Sequence, residues 1–324
     1  MCSRNIVFLI CCMAIVVSPA LATYAGDRPL ITVFSSDVKG SYLFSTGNSS
    51  YGGVITPGNV YSAGFNISIP DDATIVFQRY YVYWAWSKRN QQAIYPEIHA
   101  RAGDGESSGN LTLTRRYSDS KGFAGQADYF AGMDSLNGSA LAPGSNHIVL
   151  SVQNGAVDNS TFVIQGAAVL AVFERPDLPR SSMWVKEGCD MLYSDYGITP
   201  EMATAKIPFE GSVEIKNVQS AQLEIVAPSG GYSRSNTAGQ NALLINRQAD
   251  DQLPLMFSSL IRLIFPGTQG RQYLDIFYSD EDHQVGTEIR DITPQLLPQN
   301  NLVVVRDQGD YLHVTNALLQ ITYW

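Results

Sequence analysis

The segments Ala168-Val-Leu-Ala-Val-Phe173 and Leu318-Leu-Gln-Ile-Thr-Tyr323 close two similar blocks of short apolar and β-branched runs. The first block begins at Asp128 and the second at Asp291, and each passes through a Pro–Asn turn before its closing strands. Runs of this length with turn residues between them indicate antiparallel strands. A block that occurs twice predicts two related β domains in tandem.

The rest of the chain is also rich in strand signals and poor in helical periodicity. Val60–Ile69 alternates between apolar and polar residues, and Thr74–Trp86 is a long aromatic and β-branched run. Further strands are predicted at Ser212–Lys216 and Tyr273–Tyr278. We therefore predict an all-β fold of two tandem antiparallel jelly-roll-like β-sandwiches.

The first residues of the chain are typical of a secretory signal peptide. Arg4 supplies the positive charge, Ile6–Val17 is an apolar run, and Ala20-Leu21-Ala22 is a cleavage site of small residues. We expect residues 1–22 to be removed, with an uncleaved anchor as the alternative. No later stretch is apolar for long enough to span a bilayer. The sequence thus predicts an extracellular or cell-surface protein without an integral membrane anchor.

The domain boundary is predicted in the segment Glu174–Ser182. Its two prolines disfavour the continuation of a helix or a strand. A chain of 324 residues suits two domains of ordinary size. We predict an N-terminal β-sandwich over residues 23–175 and a C-terminal β-sandwich over residues 176–324.

Charge and cysteine content indicate which partners and which covalent cross-links the protein is expected to have. The net charge is −9, and the basic residues form no stripe, which argues against nucleic acid as a partner. Three of the four cysteines lie in the predicted signal peptide, so Cys189 alone remains and no internal disulfide is expected. Cys189 is either a buried apolar residue, which we favour, or an intermolecular bridge.

The second closing block resembles a known structural motif. Asp291-Ile-Thr-Pro-Gln-Leu-Leu-Pro-Gln-Asn-Asn-Leu-Val-Val-Val305 is similar to the closing strands of galactose-binding-like jelly rolls, and Ala142-Pro-Gly-Ser-Asn146 keeps part of the pattern. The resemblance implies a jelly-roll fold. It implies little about ligands, because jelly rolls host many functions.

A wider resemblance covers nearly all of the chain after the predicted signal peptide. The chain resembles an uncharacterised secreted β-rich family common in methanogenic archaea. The segments that carry the resemblance are Gly26–Leu30, Tyr81–Trp84, Val169–Glu174, Glu187–Asp190 and Gly309–Leu312. This resemblance implies an extracellular or envelope setting and no particular activity.

Five N-glycosylation sequons are the clearest chemical signal. All lie in the first predicted domain, at Asn48, Asn66, Asn110, Asn137 and Asn159. The asymmetry favours an outward-facing first domain and a second domain in contact with a partner. Chance asymmetry is the alternative.

The densest aromatic cluster lies in the predicted strand Thr74–Trp86. Strand alternation puts Trp84 and Trp86 on one face, and Tyr81 and Tyr83 on the other. An exposed face would be a ligand-binding surface for sugar stacking or for a protein. The alternative, favoured for the Trp84 face, is packing in a sandwich core.

Acidic turns offer oxygen ligands of the kind that calcium prefers. The best candidate comprises Asp280, Glu281 and Asp282, and similar turns occur at Asp71–Asp72 and Asp250–Asp251. We expect no cofactor, and a structural calcium ion at Asp280, Glu281 and Asp282 is the less favoured alternative to solvated turn acids.

Signals for an enzyme are weak. The four histidines show no metal-ligand spacing, and there is no G-x-S-x-G motif. We predict a non-catalytic protein of the cell surface or extracellular matrix, with a structural or adhesive role through envelope proteins or glycans. A pair of carbohydrate-binding modules is the alternative, and a hydrolase of extracellular polymers is a weaker one. The apolar terminal strand Leu318–Trp324 could also pair with a neighbouring molecule and so give self-association. The alternative, which the repeat favours, is an interior strand of its own sandwich.

Overall fold

The structure, a computed structural model, describes residues 26–104, 108–122, 130–138, 140–195, 197–231, 239–246 and 271–324. Regular structure in these residues is almost entirely β-strand, with short 3-10 turns such as Ile215–Asn217. The predicted all-β class is therefore confirmed. The predicted signal peptide, residues 1–22, lies outside the described residues. No helix in the described part of the chain is long and apolar enough to cross a membrane.

The described strands follow one another in chain order with short connections. They are β1 (Ile31–Ser45), β2 (Gly53–Ile55), β3 (Val60–Ile69), β4 (Thr74–Arg89), β5 (Gln92–Ala93), β6 (Ile98–Gly103), β7 (Ser108–Asn110), β8 (Thr112–Asp119), β9 (Ala131–Asn137), β10 (Gly144–Asn154), β11 (Thr161–Glu174), β12 (Arg180–Leu192), β13 (Thr204–Ser212), β14 (Val218–Pro228), β15 (Asn241–Ile245), β16 (Arg271–Leu274), β17 (Val285–Asp291), β18 (Gln299–Asp307) and β19 (Leu312–Tyr323).

These strands form three antiparallel sheets. Outer sheet 1 has the order β3-β10-β6-β7, and outer sheet 2 has the order β13-β18-β15-β16. The central sheet has the order β17-β14-β19-β12-β1-β11-β4-β9-β8, with β2 on β11 and β5 on β4. We call β11, β4, β9 and β8 the N-terminal limb of the central sheet, and β12, β19, β14 and β17 its C-terminal limb.

Strand β1 joins the two limbs by pairing with each along half of its length. Residues Ile31–Lys39 pair with β12, and Gly40–Ser45 pair with β11. The transition falls at Gly40, where a Cβ atom would lie only 2.0 Å from the carbonyl oxygen of Phe173. Glycine is therefore required there by the close approach of the two backbones.

The described residues form three hydrophobic clusters, which lie between four layers of sheet. One fills the space between outer sheet 1 and the N-terminal limb, and includes Phe65, Leu150 and Trp84. The second lies between outer sheet 2 and the C-terminal limb. The third includes Tyr81 and Met183 and packs the two limbs against each other. The limbs are thus buried on both faces, which accounts for the nearly continuous apolar run in β11.

The two Pro–Asn turns of the repeated blocks have the same geometry. The Asn146 side chain accepts from the amide of Ala142 at 3.0 Å and donates to its carbonyl at 2.8 Å. The Asn301 side chain makes the same two bonds with Leu297, at 2.8 and 2.9 Å. Each asparagine closes the turn that leads into a strand of an outer sheet. The start of the first block, Asp128, lies outside the described residues.

Two of the strands predicted from the sequence are wrong in part. Strand β13 ends at Ser212, and Ile215–Asn217 is a 3-10 turn. The strand predicted at Tyr273–Tyr278 ends at Leu274, because Asp275 takes a positive φ of 50° that a strand does not allow.

The segment predicted as a linker is a tight turn instead. Glu174 is the last residue of β11, and β12 begins at Arg180, so only five residues intervene. The amide of Leu178 donates to the carbonyl of Arg175 at 3.0 Å and closes this turn. The division of the chain into residues 23–175 and 176–324 stays a prediction.

The terminal strand has no free edge. Strand β19 pairs with β12 on one side and with β14 on the other. Of the two alternatives for Leu318–Trp324, the structure shows the interior strand that the repeat favoured, and pairing of this strand with a neighbouring molecule is ruled out because its backbone groups are already bonded within the chain. Self-association through other surfaces stays a prediction.

Candidate functional site

A bulge in β4 brings Trp86 out of the core. Two residues of β4, Trp86 and Ser87, lie opposite the single residue Phe162 of β11, because the register shifts between Thr161 and Val163. An extra residue of this kind breaks the alternation of side chains and can re-aim one of them. Trp86 accordingly has a φ of 51° and is 41% exposed, whereas Ser87 is buried.

Trp86 lies at the rim of a cleft of about 130 Å³ between the two halves of the chain. The first half contributes Tyr51, Ala85, Trp86, Val163 and Gln165, and the second contributes Ser229, Gln284, Asp310 and Tyr311. Three of these residues have a positive φ without being glycine, namely Trp86, Ser229 and Tyr311. Such backbone is uncommon for large side chains and clusters at functional sites.

The floor of the cleft is polar and buried. The Gln165 side-chain amide donates to Ser229 Oγ at 2.5 Å, while its oxygen has no partner among the described residues. Asp310 Oδ2 accepts from the amide of Gly231 and from the Asn241 side chain, both at 2.7 Å. Asp310 Oδ1 is buried without a partner in the described part of the chain. Burial raises the pKa of Asp310 to about 6, against the opposing effect of these hydrogen bonds.

The described lining of the cleft is mostly neutral. Its described lining holds one carboxylate, Asp310, and no histidine, lysine or cysteine. A glycosidase needs two carboxyl groups across the scissile bond, and a serine nucleophile needs a base within hydrogen-bond reach. The hydroxyl of Ser229 instead accepts a hydrogen bond from Gln165. The cleft combines an aromatic rim with buried oxygen acceptors, an arrangement whose chemistry would suit a small group that is apolar on one side and carries hydroxyls on the other.

Of the four aromatic residues predicted to bind a ligand, the structure leaves one exposed. Tyr81, Tyr83 and Trp84 are 0% exposed, so they form no surface for stacking. Their polar atoms bond inside the protein: Tyr81 to Glu187 at 3.0 Å, Tyr83 to Asn316 at 2.9 Å and Trp84 to Asp134 at 3.1 Å. The first two bonds join the limbs of the central sheet. These three residues are corrected to core positions, and Trp86 remains as a binding candidate.

Sequence reasoning missed most of the cleft. Gln165 and Ser229 lie far apart in the chain, in segments without a recognisable motif. Asp310 and Tyr311 lie in the Gly309–Leu312 segment, which the sequence singled out only as part of a family resemblance. Their approach depends on the packing of the two limbs, which no local pattern reveals.

All five predicted glycosylation sites have exposed asparagines: Asn48, Asn66, Asn110, Asn137 and Asn159. Asn110 also lies in the lining of an open hollow of about 580 Å³ on outer sheet 1, beside Arg101. A glycan on Asn110 would cover this hollow. Exposure is what an oligosaccharyltransferase requires, and the modification itself stays a prediction.

The acidic turn predicted to hold calcium lies beside the cleft but offers no ligand set. Asp280 Oδ1 accepts from the amides of Asp282 and His283, at 2.9 and 2.7 Å, so it is engaged in closing the turn. Glu281 and Asp282 are exposed. The described residues contain no group of three side chains able to hold a metal ion. The calcium prediction at Asp280, Glu281 and Asp282 is thus not supported by the geometry, and Asp250–Asp251 lies outside the described residues.

Cys189 is buried, as predicted, and forms no disulfide. Burial, together with the nearby carboxylates of Asp119 and Asp190, raises the pKa of its thiol well above the ordinary value. A buried thiol of this kind is a poor nucleophile. His313 is also buried, and desolvation lowers its pKa to about 3, so it stays neutral at physiological pH.

Comparisons with known proteins bear on the family and not on the activity. One solved structure, a peptide-N(4)-(N-acetyl-β-D-glucosaminyl) asparagine amidase, is 8% identical with a TM-score of 0.30, over 87% of this chain and 96% of that chain. The major capsid protein P2 from bacteriophage PM2 is 11% identical with a TM-score of 0.21, over 88% of this chain and 98% of that chain. TM-scores this low do not show a shared fold or a shared function.

No curated protein matches the sequence. A family model does match, over residues 23–322, which is nearly the whole chain. Its description is "Protein of unknown function (DUF3344)". The chain therefore belongs to the DUF3344 family.

Proposed function

We propose that the chain is an exported, non-catalytic protein of the cell surface or extracellular matrix, with a structural or adhesive role, and that it contacts a glycan at the Trp86 cleft. The observation that carries the proposal is the pairing of a half-exposed Trp86 with the buried side-chain oxygens of Gln165 and Asp310 that have no partner among the described residues. The envelope setting implied by the sequence resemblance is part of the proposal.

The chemistry of a sugar ring fits this pairing. One face of a pyranose presents C–H groups that pack on an indole ring, and its hydroxyls donate to buried acceptors. An unpartnered buried oxygen costs free energy, which a hydroxyl donor recovers on binding. The volume of about 130 Å³ is small compared with typical ligand pockets, so the cleft suits one terminal sugar residue.

Several features support an exported setting. The N-terminal signal-like segment and the five exposed sequons are both consistent with export. Cys189, the one cysteine among the described residues, forms no disulfide, and three hydrophobic clusters of these residues stabilise the fold. Fractionation of the native organism tests the location: the chain is expected in the envelope fraction, and recovery as a free monomer in the medium would contradict a structural role there.

Binding is tested on a glycan array with the wild-type protein and two tryptophan variants. Trp86→Ala is expected to abolish binding, whereas Trp324→Ala is the matched control, since Trp324 is 85% exposed and does not line the cleft. Asp310→Asn should weaken binding while leaving the fold intact. Equal binding by wild-type protein and Trp86→Ala would rule out a glycan contact at this cleft.

A protein partner is the main competing occupant of the cleft. An aromatic anchor at the rim of a pocket is also typical of protein interfaces. No binding on the array, together with Trp86-dependent capture of a purified envelope protein, would replace the glycan by a protein and leave the adhesive role standing.

A further inference from the structure

A lysine and two aspartates form a buried cluster where the turn after β8 meets β12. The side chain of Lys121 is 2% exposed, and those of Asp119 and Asp190 are 0% exposed. Lys121 Nζ donates to Asp190 Oδ1, lies 3.1 Å from Asp119 Oδ2, and donates to the carbonyl of Gly26 at 2.6 Å. The cluster connects the first half of the chain to the second.

Asp119 is held firmly beside the amine. Its Oδ1 accepts from the amides of Ser120 and Lys121, at 2.7 and 3.0 Å, and its Oδ2 accepts from the amide of Met191 at 3.0 Å. Lys121 itself takes a φ of 46°, which is uncommon for a residue with a long side chain. The backbone is thus shaped to bring Nζ between two carboxyl groups.

Within the described residues, Asp190 differs from Asp119 in that one of its oxygens has no partner. Its Oδ1 accepts from Lys121 Nζ and from the amide of Arg28, the latter at 3.2 Å. Its Oδ2 is buried and has no partner in the described part of the chain. Burial raises the pKa of Asp190 to about 7, against the opposing effect of Lys121, so the neutral acid is well populated at physiological pH.

A buried ion pair at this position is unfavourable in free energy, because its charged groups lose their contact with water. Moving an amine and two carboxyl groups out of water costs several kcal/mol per charge, by general estimates, unless every polar atom is satisfied. This condition is not met within the described residues, because Asp190 Oδ2 has no partner among them. A neutral covalent product would remove both charges and this orphaned oxygen at once.

We propose that Lys121 and Asp190 become joined by an intramolecular amide bond. Once a proton has passed from Lys121 Nζ to Asp190, the nitrogen attacks Cγ of the resulting carboxylic acid, and a C–N bond forms as the C–Oδ2 bond breaks. The departing oxygen takes one proton from the carboxylic acid and one from the amine, and leaves as water. Asp119 Oδ2 accepts the amine proton and passes it to the departing hydroxyl. The step is a condensation that needs no oxidant, reductant or further reactant.

Proximity makes this condensation feasible in water. Groups held in contact and correctly oriented react with effective molarities of about 10⁵–10⁸ M, which offsets the unfavourable equilibrium of an amine and an acid in solution. The bond closes a loop between residues that are 69 positions apart. In a chain whose one described cysteine forms no disulfide, it supplies a covalent link between the two halves.

The test is the intact mass of the folded, full-length chain, measured after denaturation. Wild-type protein is expected to be lighter than its sequence by one water molecule, and its tryptic digest to contain a branched peptide that joins Lys121 to Asp190. Lys121→Arg keeps the positive charge but is expected to remain at its sequence mass. Asp119→Asn should slow or prevent the loss of water, as followed by mass against time after folding.

Asp190→Asn provides an independent check. An asparagine at this position releases ammonia instead of water, so its product has the same mass as the wild-type product. The proposal is overturned if wild-type protein, shown to be folded by circular dichroism, stays at its sequence mass. It is also overturned if the lost water maps to a cyclic imide elsewhere and no branched peptide occurs.

Discussion

Replacement of Trp84 by alanine should be among the most destabilising single changes in the chain. The Trp84 ring is 0% exposed and packs edge-to-face on Phe130, with ring centroids 5.3 Å apart. An aromatic side chain buries roughly 150–250 Å², which at about 25 cal/mol per Å² corresponds to about 4–6 kcal/mol as an upper bound. Truncations of buried aromatic residues elsewhere cost about 3–5 kcal/mol, because the cavity relaxes only in part.

The matched control is Trp86→Ala, two residues along the same strand. Trp86 is 41% exposed at an open cleft, so its truncation leaves no closed cavity, and we expect a cost of about 1–2 kcal/mol. The assay is urea-induced unfolding followed by circular dichroism, with the shift in midpoint converted through a common slope. A Trp84→Ala variant that loses less than Trp86→Ala would refute the assignment of Trp84 to the core and of Trp86 to the surface.

Three further predictions concern the central sheet. Gly40→Ala should lower the melting temperature or prevent soluble expression, because the alanine Cβ would lie 2.0 Å from the Phe173 carbonyl oxygen. A melting temperature equal to that of wild type would contradict the close approach of β1 and β11 at this position. Tyr83→Phe should cost about 1–3 kcal/mol, because it leaves Asn316 Oδ1 buried without its donor, and urea unfolding measures this. Glu224 has its pKa raised by burial from 4.5 to about 7, so its contribution to stability is present below pH 4.5 and lost as the pH rises through 7. Glu224→Gln should therefore make the fall in stability between these pH values less steep. If thermal melts show the same dependence of melting temperature on pH as in wild type, Glu224 is not buried as described.

The alternation of side chains along a strand correctly predicted the direction in which most of the aromatic residues of β4 face. Tyr81 and Tyr83 do face away from Trp84, as the period of two requires, and they pack in a different cluster. The rule fails at Trp86 because a bulge adds one residue, and no residue type in the sequence marks the bulge. The one exposed tryptophan of this strand is thus the one whose position depends on a local irregularity.

Strand β12 was not predicted as a strand. It contains Lys186, Glu187 and Asp190, three charged residues that are buried here, and buried charges interrupt the apolar pattern on which strand prediction rests. Their burial follows from partners contributed by the first half of the chain, such as Tyr81 for Glu187 and Lys121 for Asp190. Pairings between distant segments of this kind cannot be read from local sequence.

The most direct test of a glycan contact at the Trp86 cleft is a nuclear magnetic resonance titration that follows the indole N–H signals. The chain has four tryptophans, so Trp84, Trp184 and Trp324 serve as internal references for Trp86. Titration with the glycan selected on the array is predicted to move the Trp86 signal saturably and to leave the buried Trp84 signal in place. Saturable binding that leaves the Trp86 signal unmoved would contradict the proposal that this cleft receives the glycan.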